Sequence, residues 1–112
     1  MSDIRPAIDA LVKFRDERNW EQFHSTKDLG LALSIEASEL NELFLWKTKE
    51  ECEVIDKSRL KEELADVFAY ALLLAEKHGL DVTEIVLEKV RKNGEKYPVE
   101  KSKGNAKKYN EM

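Results

Sequence analysis

The chain has 112 residues, of which 42% are hydrophobic and 38% charged, with a formal net charge of −4 at pH 7. This length suits one small domain, and 4 glycines and 2 prolines are too few for an all-β fold or a disordered chain. The acidic balance argues against a nucleic-acid partner, which would need a basic surface. The single cysteine, Cys52, cannot form an internal disulfide and fits a reducing compartment.

Neither a membrane segment nor an export signal is predicted. The first residues, MSDIRPAIDA, lack the apolar core of a signal peptide. No run approaches the roughly 20 apolar residues of a membrane-spanning helix. We therefore expect a cytoplasmic protein without a membrane partner.

The first predicted helix has an N-terminal cap at Ser2 or Asp3. Pro6 is tolerated in its first turn, because the amide that proline lacks would have no helical partner there. The apolar face fades near residues 18–20. Residues 21–27 then form a polar connection.

The second predicted helix runs from about residue 28 to residue 46 and is strongly apolar. Residues 47–56 are charged and are expected to form a linker with room for one helical turn. A third helix starts at Asp56 or Ser58 and continues to His78, where the following glycine is a helix-stop signal.

The fourth predicted helix opens with Asp81 and Glu84, an aspartate version of the capping box. It ends near residues 97–98, at a proline. Residues 98–112 form a basic tail without helical periodicity. Because no linker divides the chain, we predict a single domain over residues 1–112.

The third helix is apolar on every side. Residues 64–75 read LADVFAYALLLA, in which Asp66 is the only charge. A helix of this kind must be buried all round, and three other helices can hardly surround it. Each large apolar side chain that is buried contributes roughly 1.5–3 kcal/mol, so the pattern predicts a homo-oligomer.

Four carboxylates occupy faces that should be buried. Successive helical residues turn by about 100°, which puts Glu36 on the apolar stripe of the second helix and Glu39 at its edge. Glu63 and Asp66 repeat this spacing on the third helix, in a stripe shared with Tyr70. Residues three apart lie about 5–6 Å from one another on a helix surface. If the two faces meet, all four acids converge.

Such a cluster needs compensation, because even one unpaired buried charge costs several kcal/mol. Protons, lysines or a divalent metal could supply it. Carboxylates without histidine or cysteine suit hard cations, namely Mg²⁺ or Mn²⁺ and less well Ca²⁺. The absence of a Glu-x-x-His pair disfavours a di-iron redox protein. Mg²⁺ sites commonly bind phosphates, whereas compensation by lysines across interfaces would indicate a non-catalytic oligomeric helical adaptor.

The acid pairs stand within longer stretches that resemble one family. WEQFH (residues 20–24), LALSIEASELNELFLW (31–46), EELADVFAY (62–70) and KYPVEKSKGNAKKY (96–109) are similar to the MazG-type all-α nucleoside triphosphate pyrophosphohydrolases, and most of all to the dCTP pyrophosphatase branch. The likeness extends from about residue 9 to the end of the chain.

The resemblance implies an all-α, four-helix MazG-like bundle completed by oligomerisation into a tetramer, a dimer of dimers. It also implies Mg²⁺-dependent hydrolysis of (deoxy)nucleoside triphosphates, dCTP or related dNTPs, to the monophosphate and pyrophosphate. Such an activity would serve nucleotide-pool house-cleaning.

Carried over by position, the resemblance assigns a metal-binding and catalytic set and a substrate set. The first consists of the four acids named above, Glu36, Glu39, Glu63 and Asp66. In the second, three aromatic residues line the base and sugar pocket with a histidine nearby, and two α-helical residues reach the phosphates in a neighbouring subunit's site. These six are Trp20, His24, Trp46, Tyr70, Lys89 and Asn93.

The sequence departs from the dCTP branch at Leu11. The branch implies a histidine on the first helix that helps to frame the base. A leucine there leaves the metal chemistry unaffected, but it removes one reason to expect a preference for cytosine.

Overall fold

The computed structural model describes residues 4–111, and within that range it contains α-helices and short 3₁₀ turns but no β-strand. The predicted all-α class is confirmed. Four helices are long, and two further ones span no more than five residues each. In chain order α1–α6 are Arg5–Glu17, Thr26–Glu42, Lys49–Glu53, Lys57–Lys77, Val82–Lys96 and Val99–Ser102.

Helix α1 begins directly after Ile4, whose side chain makes no capping hydrogen bond. Pro6 lies in the first turn, as predicted. The predicted caps Ser2 and Asp3 lie outside the described residues. The helix ends at Glu17, just before the predicted end at residues 18–20.

Helix α2 is displaced towards the N-terminus relative to its predicted bounds. It starts at Thr26 instead of residue 28, because the Ser25 hydroxyl caps it by accepting a hydrogen bond from the Asp28 amide at 3.0 Å. It ends at Glu42 instead of residue 46. The chain then turns, and Trp46 adopts a left-handed backbone with φ +63°.

The linker contains the single helical turn for which the sequence had room. The Thr48 amide donates to the Glu51 carboxylate at 2.8 Å, and the Glu51 amide donates to the Thr48 hydroxyl at 3.1 Å. This capping box starts α3. Asp56 then caps α4 by accepting from the Ser58 amide at 2.9 Å.

The predicted start of α5 is confirmed, because the Asp81 carboxylate accepts from the Glu84 amide at 3.0 Å. The tail is more regular than predicted: it contains the short helix α6 and a 3₁₀ turn at Tyr109–Glu111. The Tyr97 and Tyr109 rings meet edge to face with centroids 6.0 Å apart. Aromatic packing, which has no sequence periodicity, thus orders this segment.

The described residues fold into two compact units, the first ending at Gly79 and the second beginning at Leu80. In the first, α4 packs along α2 and also against α1. The prediction of one domain over residues 1–112 stays a prediction. The core of the first unit draws on all three of its long helices and comprises Ile8, Leu29, Leu43, Leu72, Leu73 and Ala75.

Helix α4 is only partly covered in the single chain. Its C-terminal half supplies the buried Leu72 and Leu73, whereas Leu64 and Phe68 are 39% and 58% exposed. An apolar groove of about 560 Å³ between α1 and α4 is lined in part by Phe68 and Leu72. No helix over residues 4–111 is long and apolar enough to cross a membrane.

Leu29 and Leu31 form a matched pair for testing the core. Leu29 is 2% exposed and Leu31 is 53% exposed on the same helix. We expect Leu29→Ala to lower the free energy of unfolding by about 2–5 kcal/mol, because it removes buried methyl groups and leaves a cavity. Leu31→Ala should cost well under half as much. Urea denaturation followed by circular dichroism measures both, and equal losses would contradict the assigned core.

Candidate functional site

The packed faces of α2 and α4 bring three of the predicted acids together. One carboxylate oxygen from each of Glu36, Glu39 and Glu63 lies within 4.8 Å of the other two. Glu36 and Glu63 are half-buried between the helices, and Glu39 is exposed at the edge. The predicted convergence of two acid pairs is therefore seen for three members, which we call the acid trio.

Asp66 lies one turn beyond Glu63 on α4 and borders the acid trio. Its side chain is exposed, and its negative charge is close enough to raise the pKa values of both Glu36 and Tyr70, although other causes contribute more to each. Asp66 also lines a cavity next to the trio. It therefore connects the acids to the space in which a ligand could lie.

The surroundings of the acid trio favour the protonated form of Glu36. A hydrogen bond with the Glu39 carboxyl, together with burial and the negative charges of Glu39, Asp66 and Glu63, raises the pKa of Glu36 to about 7. One oxygen of Glu36 and one of Glu63, Oε2 in both, are buried without a hydrogen-bond partner. Within residues 4–111, none of the four acids forms a salt bridge.

The acid trio has the donors that a hard divalent cation prefers. Mg²⁺ binds oxygen at about 2.0–2.1 Å, so ligands on opposite sides of one ion lie about 4 Å apart. Adjacent ligands of one ion lie closer still, about 3 Å apart, so the three oxygens, which lie within 4.8 Å of one another, would move towards each other to bind the same ion. A cation bound there would give the unpartnered oxygens of Glu36 and Glu63 a partner.

A cavity of about 270 Å³ lies next to the acid trio, between α1, α4 and the segment that follows α1. Aromatic faces and polar groups share its walls, which is typical of pockets that bind small molecules. Three of the six predicted substrate residues belong to it. Its aromatic and polar lining consists of Phe14, Trp20, Tyr70, Arg15, His24 and Asp66.

Backbone hydrogen bonds fix the Trp20–His24 segment. The Trp20 amide donates to the Arg15 carbonyl at 3.0 Å, and the His24 amide donates to the Glu21 carbonyl at 3.0 Å across a 3₁₀ turn. The Trp20 ring also packs edge to face on Phe14, with centroids 5.8 Å apart. The indole is therefore held at the cavity rim while remaining 44% exposed.

Tyr70 connects the cavity to the acids. Its side chain is half-buried. Burial raises the pKa of its hydroxyl above the ordinary value, and the negative charges of Glu36, Asp66 and Glu39 raise it further. The hydroxyl consequently stays protonated near neutral pH and can donate a hydrogen bond.

His24 is a neutral group at the cavity wall. Burial lowers its pKa, and the positive charge of Arg15 lowers it further. Its Nδ1 atom is buried without a hydrogen-bond partner. An unpaired buried polar atom costs about 1–3 kcal/mol, so a ligand that satisfied Nδ1 would bind favourably.

Three predicted substrate residues do not line this cavity. Trp46 lies in the turn after α2, and its side chain is 93% exposed. Lys89 and Asn93 are exposed on α5, in the second unit, where they border a shallow apolar surface with Ile85 and Val90. Their assigned roles stay predictions.

Sequence reasoning missed Arg15. Its side chain is only 16% exposed, and it lines both the cavity described above and a second one of about 320 Å³. The signal was available, since Arg15 falls on the same helical stripe as Ile8, Leu11 and Val12. A charge on an apolar stripe had already singled out Glu36, and the same test applied to α1 finds Arg15.

Helix packing and side-chain chemistry together define an all-α protein with a carboxylate cluster suited to a hard cation, next to an aromatic cavity. The sequence matches the MazG-like family over residues 31–112. This match covers well over half of the chain, and the chain belongs to that family. The resemblance seen in the sequence is thereby confirmed.

Named relatives support the same family. The chain is 41% identical to dCTP pyrophosphatase 1 of Bos taurus and 39% identical to that of Homo sapiens, in each case over 106 residues and 90% of this chain. It spans 63% and 62% of the length of these two relatives. A crystal structure of a pyrophosphatase from Archaeoglobus fulgidus superimposes with a TM-score of 0.81 and 39% identity, covering 86% of this chain and 93% of that one.

The pKa of Glu36 predicts how the metal-free protein responds to pH. The folded pKa of about 7 exceeds the ordinary value of 4.5, so the folded state holds this proton more tightly. The contribution of this proton to the free energy of unfolding is complete below a pH of about 4.5 and is lost as the pH rises through about 7.

In EDTA, we therefore expect the free energy of unfolding of the wild type to fall relative to Glu36→Gln between about pH 5 and about pH 8, because glutamine does not titrate. Urea denaturation across this range measures the difference. Parallel pH profiles for the two proteins would contradict the assigned shift.

Proposed function

We propose that this protein is a Mg²⁺-dependent nucleoside triphosphate pyrophosphohydrolase that acts on (deoxy)nucleoside triphosphates, with dCTP or a related dNTP as the preferred substrate. The observation that carries the proposal is the acid trio of Glu36, Glu39 and Glu63 next to a cavity with aromatic walls. The names of the relatives, dCTP pyrophosphatase 1 and a pyrophosphatase, support the same activity.

The metal in this proposal is held by the acid trio, with Asp66 as the fourth ligand. Carboxylate-only donors favour Mg²⁺, and Mn²⁺ could replace it. The two unpartnered Oε2 atoms on Glu36 and Glu63 support this assignment. When bound, the cation would neutralise the triphosphate and polarise its phosphoryl oxygens.

The aromatic cavity holds the nucleoside in this proposal. Trp20 offers a ring on which a base can stack, and Tyr70 and Asp66 lie at the side of the cavity that adjoins the acids. A nucleotide whose base stacks on Trp20 would therefore place its α-phosphate at the acids. His24 contributes a neutral imidazole to the base end.

The reaction consumes one water and produces the monophosphate and pyrophosphate. Water oxygen bonds to the α-phosphorus, and the bond from that phosphorus to the oxygen bridging to the β-phosphorus breaks, with the electron pair leaving on pyrophosphate. We assign the water's proton to Glu39, because this exposed member of the trio has access to solvent. The chain's other acids position the reacting groups.

We further propose a homotetramer, a dimer of dimers, in the cytoplasm, with a house-cleaning role in the nucleotide pool. The exposed apolar side chains of Leu64 and Phe68 on α4 support association of copies. In that assembly Lys89 and Asn93 would reach the phosphates in a neighbouring copy's site. Trp46, fully exposed in the single chain, would complete a base pocket.

Glu62 and Glu63 offer a matched test of the activity. With Mg²⁺ present, the wild type should convert dNTPs to monophosphate and release pyrophosphate. Glu63→Gln should lower kcat/KM at least about 100-fold, because loss of a metal ligand removes several kcal/mol of transition-state stabilisation. Glu62→Gln, whose side chain is exposed one residue away, should keep wild-type activity. A coupled pyrophosphate assay with all four dNTPs measures these rates.

Other outcomes of this assay have definite meanings. Release of orthophosphate, or activity that persists in EDTA, would refute the proposed reaction. Absence of turnover, together with unchanged thermal stability on adding Mg²⁺, would favour the oligomeric adaptor in which lysines compensate the acids. Equal activity of Glu63→Gln and Glu62→Gln would refute the assigned site.

A further inference from the structure

Arg15 is the most buried cation whose position the proposed reaction does not yet explain. Arginine remains charged at all physiological pH values and is almost never buried unless paired. The side chain of Arg15 is nevertheless only 16% exposed, against 42% for Arg18 on the following turn. Pairing with acids accounts for part of this burial, and the position of the remaining N–H groups at a cavity wall calls for a further reason.

Two acids hold the Arg15 guanidinium by one edge. Nε donates to the Asp16 carboxylate at 2.9 Å, and Nη2 lies 2.8 Å from the same oxygen. Nη2 is also 3.7 Å from a Glu21 carboxylate oxygen. These contacts fix the plane of the group, and no residue among 4–111 accepts a hydrogen bond from Nη1. The outer end of the fork, Nη1 with the second Nη2 hydrogen, remains available to a ligand.

The residues next to the open Nη1 end of Arg15 line the part of the cavity in which the base would lie. Arg15, His24 and Leu73 line both adjoining cavities, and Trp20 stands at the rim of the one that contains Tyr70. A base stacked on Trp20 would direct its hydrogen-bonding edge at the groups that line the wall. The Nδ1 of His24 is buried without a hydrogen-bond partner, and the hydrogen bond and ion pairs of Arg15 within residues 4–111 use Nε and Nη2 and leave Nη1 open.

Leu11 supports the assignment of base recognition to Arg15 and His24. It lines the same cavity from α1, one turn before Arg15, and cannot form hydrogen bonds through its side chain. The polar recognition of a base on this side of the pocket therefore falls to Arg15 and His24. Phe14, between Leu11 and Arg15 in sequence, contributes only an apolar face.

We propose that Arg15 is a specificity-determining residue, whose paired N–H donors recognise a base edge that carries two adjacent acceptors. Cytosine offers such a pair in N3 and O2, and guanine offers one in O6 and N7, the pair that arginine binds in DNA recognition. Uracil, thymine and adenine alternate donors with acceptors along their edges, so one N–H of the fork would face another donor. This inference rests on the proposed function, because it takes the cavity to be the nucleoside site.

Binding of nucleoside monophosphates tests the inference without requiring turnover. Calorimetric titrations in Mg²⁺ should compare dCMP with dUMP, and dGMP with dAMP, because each pair is matched in size. We expect the wild type to bind dCMP more tightly than dUMP by about 10- to 100-fold, the range for one bidentate arginine–base contact. The same preference should hold within the purine pair if purines fit the pocket.

Three variants separate base recognition from other roles of Arg15. Arg15→Met should reduce the dCMP:dUMP ratio to near one. Arg15→Lys should also fail to restore it, because an ammonium keeps the charge but lacks the planar fork. Lys13→Met removes the same charge from the opposite, exposed face of α1 and should leave the ratio unchanged. Thermal unfolding checks that the variants remain folded.

The two proposals fail in different ways. If Arg15→Met weakens dCMP and dUMP equally, Arg15 has a structural role only and the inference is overturned, whether or not the enzyme releases pyrophosphate. Tighter binding of dUMP by the wild type, or no binding of either monophosphate, would also overturn it. If the ratio collapses as expected while no triphosphate is hydrolysed, the inference stands and the proposed reaction falls.

Discussion

The placement of three carboxylates where α2 packs against α4 is the constraint on which the rest of the first unit depends. Glu36, Glu39 and Glu63 lie close together on faces that contact each other. A hydrogen bond with the Glu39 carboxyl, burial and the neighbouring negative charges together raise the pKa of Glu36 to about 7, so keeping this carboxylate ionised at the helix contact costs free energy. Folding can tolerate this because the buried leucines of the same helices, Leu29 and Leu72 among them, hold the two backbones together.

The same helix packing creates the cavity next to the acids. α4 is shared: towards α2 it presents Glu63, and towards α1 it presents the residues that meet Arg15 and Leu11 at the cavity wall. Asp66 and Tyr70 line the cavity from α4, and the negative charges of Glu36, Asp66 and Glu39 add to burial in raising the pKa of Tyr70. One helix therefore carries the acidic side and the aromatic side of the candidate site, at a separation set by the helical repeat.

Much of this arrangement is predictable from sequence, because helical periodicity is a local property. The stripes that contain Glu36 and Glu63 follow from a turn of about 100° per residue, and the caps at Asp56 and Asp81 follow from their side chains. The end of α2 was not predictable in this way. Helices commonly stop at a left-handed glycine, whereas here the left-handed residue is Trp46, which no stop rule anticipates.

Arg15 and the tail show two further limits. The apolar stripe of α1 singles out Arg15, but long cationic side chains on apolar faces usually extend to solvent, so the sequence does not show that Asp16 holds the guanidinium at a cavity wall. In the tail, the contact between Tyr97 and Tyr109 joins residues twelve apart in sequence, which no periodicity signals. The cavity wall beside Arg15 includes residues of α4, and the tyrosine contact spans twelve residues, so helical periodicity reports neither feature.

The central claim is that a divalent cation compensates the acid trio, and direct titration with Mn²⁺ tests it. Electron paramagnetic resonance of the free ion counts how much Mn²⁺ the EDTA-treated protein removes from solution. The account predicts saturable binding of at least about one ion per chain, displaced by Mg²⁺ and lost in a Glu36→Gln/Glu63→Gln double variant. Binding that the double variant retains, or no binding by the wild type, would contradict it.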